Sequence, residues 1–329
     1  MPGESRQQAH FERDLESLPR PIPGWDAEWI HFGPGPVSGD AARVRFGSGS
    51  FAVFQTSSAG VLRGTTAPDS HAFLAGLPAA DHPRAYAQAI TAETGLSLLP
   101  GTAFDLYLPE ASGIMIFAVP APSEAAPDAS EGFSDRRRAL NPVQTALLSR
   151  CRESLEGLRT AANSSRTVSG AHRTLLQSAA AALAAGDDKP LNGQREPLQR
   201  HVAVVRACAF IETHLRSSIG LADLCAAAGV CTRALEYGFH DFYDLGPMAY
   251  VRNLRLCRVR HELQAPARDG DSVSSAARRW SFTHMGQFSH DYRVLFGEMP
   301  SATLARGRGT PPTSMPRERK AVRSIEPRS

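Results

Sequence analysis

The sequence predicts a multidomain α+β chain: an N-terminal β-barrel of jelly-roll type followed by helices, then an all-α C-terminal domain holding two helix-turn-helix units. Three observations carry this. Residues 40–120 alternate short apolar runs with Gly and Pro, and residues 135–185 switch to helical spacing. Near the C-terminus one pattern occurs twice: Leu235, Phe239 and Pro247 recur as Phe288, Tyr292 and Pro300, 53 residues later. At 329 residues the chain is long enough for two ordinary domains, each with its own core. The predicted divisions are an N-terminal segment (1–25), a barrel domain (26–133), a helical element (134–185), a linker (186–199), the all-α domain (200–305) and a basic tail (306–329).

In the barrel region the runs are Val44 and Phe46, then Phe51 and Val53, then Phe104, Leu106 and Leu108, then Ile114, Ile116 and Ala118. Turns fall at Gly47-Ser-Gly49, Pro100-Gly101 and Ser112-Gly113, which is strand-and-turn grammar for a small barrel. His31, His71 and His82 stand apart, with no His-x-His pair, so neither a metal nor a catalytic site is expected. Gly47-Ser-Gly-Ser is followed by no Lys-Ser/Thr and no helical pattern, so it does not read as a phosphate cradle. No cofactor is expected.

Farther on, Leu140, Val143, Leu147, Leu148, Cys151, Leu155 and Leu158 form one apolar stripe, and Leu175, Leu176 and Leu183 a second. Such a stripe needs a partner, either a second copy of the chain or its own barrel. The breaker-rich Gly186-Asp-Asp-Lys-Pro-Leu-Asn-Gly-Gln-Arg-Glu-Pro197 marks the linker.

The first helix-turn-helix unit runs from Leu221 to Phe239. Apolar residues at 221, 224, 225 and 228 give one helix face, Gly229 supplies a left-handed turn, Val230 plugs the corner, and Leu235 and Phe239 face inward from a second helix. Met248, Tyr250, Val251, Leu254, Val259 and Leu263 then form a spacer helix, with Pro247 suited to its first turn. The second unit starts at Val273. Small Ala276 and Ala277 permit a close helix crossing, Phe288 and Tyr292 point inward, and Gly297 followed by Pro300 reads as a stop and a new start. Two readers on one rigid spacer can enter major-groove segments about one helical turn, roughly 34 Å, apart.

Charge and cysteine usage add little. Only Lys189 and Lys320 are lysines, so arginine supplies almost all the positive charge. The tail from Arg306 carries seven basic against two acidic residues, which leaves the rest of the chain at about −2 of the net +3. Its composition reads as disordered, available for non-specific phosphate attraction or simply solvated. Between 200 and 305 twelve arginines face ten acidic residues, which suits a weakly binding monomer assisted by dimerisation. The five cysteines (151, 208, 225, 231, 257) form no Cys-x-x-Cys pair, and four fall at small or apolar helical positions, so buried reduced thiols are expected. No apolar run approaches the roughly 20 residues of a membrane span and the N-terminus lacks the order of a secretion signal, so a cytoplasmic protein without membrane association is expected.

With these residues in hand, residues 201–305 resemble the DNA-binding domain of the AraC family of bacterial transcription regulators. The stretch Trp280-Ser-Phe-Thr-His-Met-Gly-Gln-Phe-Ser-His-Asp-Tyr-Arg-Val-Leu-Phe-Gly-Glu-Met-Pro300 carries most of the likeness. Three positions depart from the family pattern: Ser281 replaces the usual turn glycine, Asp244 the glycine after the first recognition helix, and Cys231 a capping serine. Less specifically, Leu98–Phe117 resembles the cupin-like sensor domains that precede some of these DNA-binding domains. The resemblance implies promoter DNA and RNA polymerase as partners, a homodimer formed through the helices after the barrel, and an unidentified small-molecule effector inside it. By resemblance, base contacts fall to Arg233, Glu236 and Tyr237 on the first recognition helix. Arg233 suits guanine O6 and N7, Glu236 cytosine N4, and Tyr237 a thymine methyl or a phosphate. On the second helix Gly286, Gln287 and His290 face outward, Gln287 suiting adenine. Arg252, Arg255, Arg278 and Arg279 are the phosphate candidates. A solvated surface role is the alternative for each, and Trp280 and Phe282 read as core rather than base-stacking groups. Two other functions stay open: a DNA-binding protein whose first domain only dimerises, and a bifunctional DNA-repair enzyme, for which no activated cysteine is apparent.

Overall fold

The computed structural model describes residues 10–12, 25–121 (less 37, 47, 48, 86 and 92), 137–140, 144, 146–153, 174, 177–181, 189–190, 195–265 and 272–308. Most of the N-terminal segment 1–25 and of the predicted tail, half of the predicted linker, and much of the helical element therefore lie outside the described residues. No described helix is long and apolar enough to cross a membrane.

The N-terminal domain is built from two antiparallel sheets. The larger has the order β1 (His10–Glu12), β3 (Gly39–Phe46), β4 (Gly49–Thr56), β11 (Gly113–Pro120), β6 (Ser70–Gly76), β9 (Leu96–Leu98), β12 (Arg137–Ala139), β13 (Lys189–Pro190). The smaller has the order β2 (Asp26–His31), β5 (Gly60–Thr65), β10 (Ala103–Leu108), β7 (Arg84–Ala85), β8 (Gln88–Ala89). The sequence predicted a β-barrel of jelly-roll type; among the described residues no strand pair joins the two sheets, so the barrel is not closed and they pack face to face as an open sandwich. The alternation along β11 explains the packing. Ile114, Ile116 and Ala118 meet Trp25, Leu74 and Leu106 in the core between the sheets. Met115, Phe117 and Val119 point the other way, onto Phe51 and Phe73.

That outer face is covered by two short helical stretches, α1 (146–153) and α2 (177–181): Leu148, Cys151 and Ala179 are fully buried against it. At these positions the apolar stripe packs on its own sheet. Val143, Leu155, Leu158, Leu175, Leu176 and Leu183 lie outside the described residues.

The C-terminal region is all helix: α3 (Arg195–His214), α4 (Leu221–Ala228), α5 (Thr232–Tyr243), α6 (Pro247–Gln264), α7 (Val273–Arg279), α8 (Met285–Phe296) and α9 (Pro300–Gly307). Pro247 and Pro300 open α6 and α9, where a missing N–H costs nothing. Gly229 and Gly297 end α4 and α8 in the left-handed conformation, with φ of 71° at both. Asp244 and Ser281, the two departures from glycine, are also left-handed (φ 54° and 63°), which strains a residue bearing a Cβ by about 1 kcal/mol. Cys231 occupies the N-cap of α5 and gives no side-chain cap, whereas Ser272 and Ser275 cap α7 reciprocally.

Two apolar cores follow. Leu235, Phe239, Tyr250 and Leu254 are fully buried in the first, Ala277, Phe288, Tyr292 and Val259 in the second. Gly238 lets α5 approach α3, because a Cβ there would stand 2.8 Å from Val204 Cγ2. The first core also takes in Ile30, Phe32, Val61 and Tyr107 from the small sheet, so the two domains share one apolar cluster. The edge strand β2 packs against α6, which shields its open edge.

Candidate nucleic-acid interface and its anchorage

Burying Leu235 and Phe239 turns the opposite face of α5 outward, and Arg233, Glu236, Tyr237 and His240 are all exposed there. Tyr237 is 53% exposed, far more than a tyrosine left over from core packing. The Arg233 guanidinium lies 5.5 Å from the centre of the Tyr237 ring and donates to its hydroxyl at 3.3 Å, so the two present one joint polar edge.

On α8 the same logic holds. Phe288 and Tyr292 are buried, while Gly286, Gln287 and His290 are exposed. A Cβ at Gly286 would meet nothing within 4 Å, so this glycine leaves an open backbone surface rather than relieving an internal clash. Gln287 donates to Asp291 at 2.6 Å, an i,i+4 bond that holds the amide along the helix.

The four arginines expected at phosphates separate into different environments. Arg278 and Arg252 are exposed, Arg252 lying 3.8 Å from Asp291. Arg279 is exposed but paired with Glu262. Arg255 is half-buried, donating to Leu215 O at 3.0 Å and Ser217 O at 2.5 Å, and burial lowers its pKa. It serves the end of α3. Trp280 is partly buried, donates from its indole to Glu262 and lies under Arg216, while Phe282 packs on Phe288, so both act as core.

These exposed faces lie apart from a dense contact with the N-terminal domain. Arg63, on β5, donates to Asp105 Oδ2 through Nε (3.0 Å) and Nη2 (2.6 Å), to Glu212 on α3 (2.7 Å), and to the Tyr250 hydroxyl. Tyr243 donates to the same Asp105 oxygen at 2.9 Å. Burial pushes both tyrosine hydroxyls well above their ordinary pKa, so both stay neutral, Tyr243 donating to Asp105 and Tyr250 accepting from Arg63. Burial opposes the Arg63 charge, but Asp105 and the surrounding phenols outweigh it and raise its pKa. Arg258 grips Glu28 with both terminal nitrogens, and Arg84 pairs with Asp244.

The loop after β2 reaches the other helix pair. Phe32 sits edge-on to Tyr243 and Tyr250, with ring centres 6.0 and 5.2 Å away. His31, 1% exposed, stacks on Phe296, and its Nε2 lies 2.9 Å from Leu295 O and 3.0 Å from Gly35 O. Both neighbours are acceptors, which assigns the proton to Nε2. Gly35 N donates to Val294 O at 3.0 Å. The last carbonyls of α8, which no helix can satisfy internally, are therefore capped by the other domain.

The sequence reading did not single out Glu28, Arg63, Arg84 or Asp105, and took His31 only as an isolated histidine. One signal was present: Arg63 and Asp105 are charges placed within apolar strand runs. The sheet register sets them directly opposite one another.

Comparison with known proteins bears on the helical region. Residues 224–306 match the family described as "Helix-turn-helix domain". The XylDLEGF operon transcriptional activator 2 of Pseudomonas putida is 37% identical over 100 residues, 30% of this chain and 64% of that protein. The probable thc operon regulatory protein of Rhodococcus erythropolis is 30% identical over 110 residues, 33% of each chain. The chain thus spans from a third to just under two thirds of these relatives. Among solved structures, a probable AraC family transcriptional regulator from Rhodopseudomonas palustris is 33% identical over 32% of this chain and 97% of its own, with a TM-score of 0.31. Residues 224–306, which include the exposed α5 and α8 faces, therefore form an AraC-type helix-turn-helix domain.

Proposed function

We propose that the chain is a sequence-specific transcription regulator that reads promoter DNA with two helix-turn-helix units, α4–α5 and α7–α8. The observation that carries this reading is the matched exposure of two polar faces, Arg233/Glu236/Tyr237 and Gly286/Gln287/His290. Each stands opposite a buried aromatic pattern repeated at the same spacing. Arg233 and Gln287 are the specific readers; Arg278 and Arg252 bind phosphate. Arg255 and Arg279 act mainly inside the protein, since their guanidinium groups are engaged there.

In this reading the N-terminal domain, cupin-like in its two-sheet build, is the sensor. Its state reaches DNA through the contacts of Arg63, Glu28 and His31 with the helices, and the response is recruitment or release of RNA polymerase by a homodimer. The names of the relatives, operon activators and a regulatory protein, support regulation over catalysis.

Footprinting on the gene's own upstream region tests the reading. The wild type protects two adjacent major-groove segments; Arg233→Ala loses one and Gln287→Ala the other. Equal affinity for that region and for random duplex would overturn it.

A further inference from the structure

A cavity of about 570 Å³ opens between the small sheet and α3, within the contact that joins the two domains. Its volume falls in the range of small-molecule sites. The wall on the helix side is apolar at Val205 and Ala209, which with Glu212 lie on one face of α3, and Phe242 also lines the space. The sheet side is acidic: Asp26 and Glu28 from β2 and Asp105 from β10.

The charge balance there is not neutral. Four carboxylates, Glu212 included, line the space, while Arg63 is the only cation in the lining and Arg258 approaches from Glu28 and Glu212. Both guanidiniums already bind carboxylates. Asp105 gives one oxygen, Oδ2, to Arg63 and Tyr243; its Oδ1 is buried and has no hydrogen-bond partner among the described residues. Asp26, at the exposed rim, has no ion-pair partner among them either. An anion entering this space would meet excess negative charge, and a neutral apolar molecule would leave Oδ1 without a donor.

We propose that this cavity binds an organic cation: an amine or amidine head donating to Asp105 and attracted by Asp26, with a compact aromatic or aliphatic body against Val205, Ala209 and Phe242. The inference rests on the regulator reading only in making such a cation the effector; the binding itself stands apart from it. Because Asp105 Oδ2 also anchors Arg63 and Tyr243, a cation at Oδ1 acts on the joint between the domains.

Calorimetric titration of the full chain with phenethylamine and benzamidine, against 2-phenylethanol and 3-phenylpropionate as neutral and anionic counterparts, tests it. Saturable binding of the two cations and not of their counterparts is expected, weakened roughly tenfold by Asp26→Asn and by Asp105→Asn, and unchanged by Glu110→Gln on a remote turn. Asp26 is exposed, so its variant reports on the site even where Asp105→Asn fails to fold. The proposal is overturned if neither cation binds saturably, if the neutral or anionic compounds bind as well, or if Asp26→Asn binds like the wild type. Footprinting without any amine reports separately on DNA reading, so loss of one result leaves the other interpretable.

Discussion

Asp244 and Gly297 hold equivalent places at the ends of α5 and α8, both in the left-handed conformation, and both meet the N-terminal domain: Asp244 pairs with Arg84, and Gly297 lies against Pro36. The β domain thus touches the C-terminal end of each candidate reading helix while leaving the polar faces open. Tension or release at either end is felt by the helix that carries the proposed base contacts.

The two ends respond differently to substitution. A Cβ at Gly297 would be forced into left-handed backbone and stand 3.0 Å from Pro36 Cδ. Gly297→Ala therefore lowers stability by about 1–2 kcal/mol in urea denaturation. Asp244→Gly relieves backbone strain but gives up a half-exposed ion pair, and its net effect stays within about 0.5 kcal/mol.

His31 caps α8 from across the domain boundary, so His31→Ala strips a buried donor from Leu295 O and a ring from Phe296. A loss of about 2 kcal/mol is expected. Footprints of this variant lose definition over the segment read by α8 before that read by α5. Equal weakening of both segments would show that His31 supports general stability alone.

How much of this was legible beforehand follows from sequence separation. The helix pairs were readable because their signals are local: inward Leu235 and Phe239, left-handed Gly229, and proline at the first turn of α6 and α9. The left-handed backbone at Asp244 and Ser281 was legible from what normally stands there. The domain contact was not. Arg258 meets Glu28 and Cys257 meets His31 O across more than 220 residues, and strand alternation says only that a side chain faces outward, not what lies there. Whether the two sheets close into a barrel was equally hidden, since it depends on edge-strand pairing and not on alternation.

Phosphate contacts and structural arginines separate by salt dependence. Arg278→Ala weakens binding evenly across sequences and reduces the slope of log affinity against log salt by about 1. Arg255→Ala instead leaves Leu215 O and Ser217 O without their donor, so it lowers the unfolding midpoint while the salt slope holds.

Acid sensitivity concentrates at Glu298. Burial raises its carboxyl pKa, but hydrogen bonds from Arg306, Thr303 and Arg260 outweigh burial and hold it below the ordinary value. A depressed folded pKa contributes stability that is present above the unfolded value, about 4.3, and lost as pH falls through the folded one. Glu298→Gln is therefore less stable than wild type at pH 7, and the gap closes on acidification below pH 4. A gap that stays constant between pH 7 and 3 would assign the effect to packing.

Arg63 and Asp105 offer the sharpest energetic test, because the pair is only 17% and 15% exposed and is reinforced by two tyrosine hydroxyls. Removing the cation alone leaves a largely buried carboxylate uncompensated, so Arg63→Met costs about 3 kcal/mol. In Arg63→Met/Asp105→Asn the charge is removed from both sides, Tyr243 can still donate to the amide oxygen, and much of the loss is recovered. A double-mutant cycle in urea should give a coupling above about 1 kcal/mol. Additive losses would mean that water already screens the pair, and that the two domains are held together by their other contacts, Phe32 with its aromatic neighbours and Arg258 with Glu28 among them.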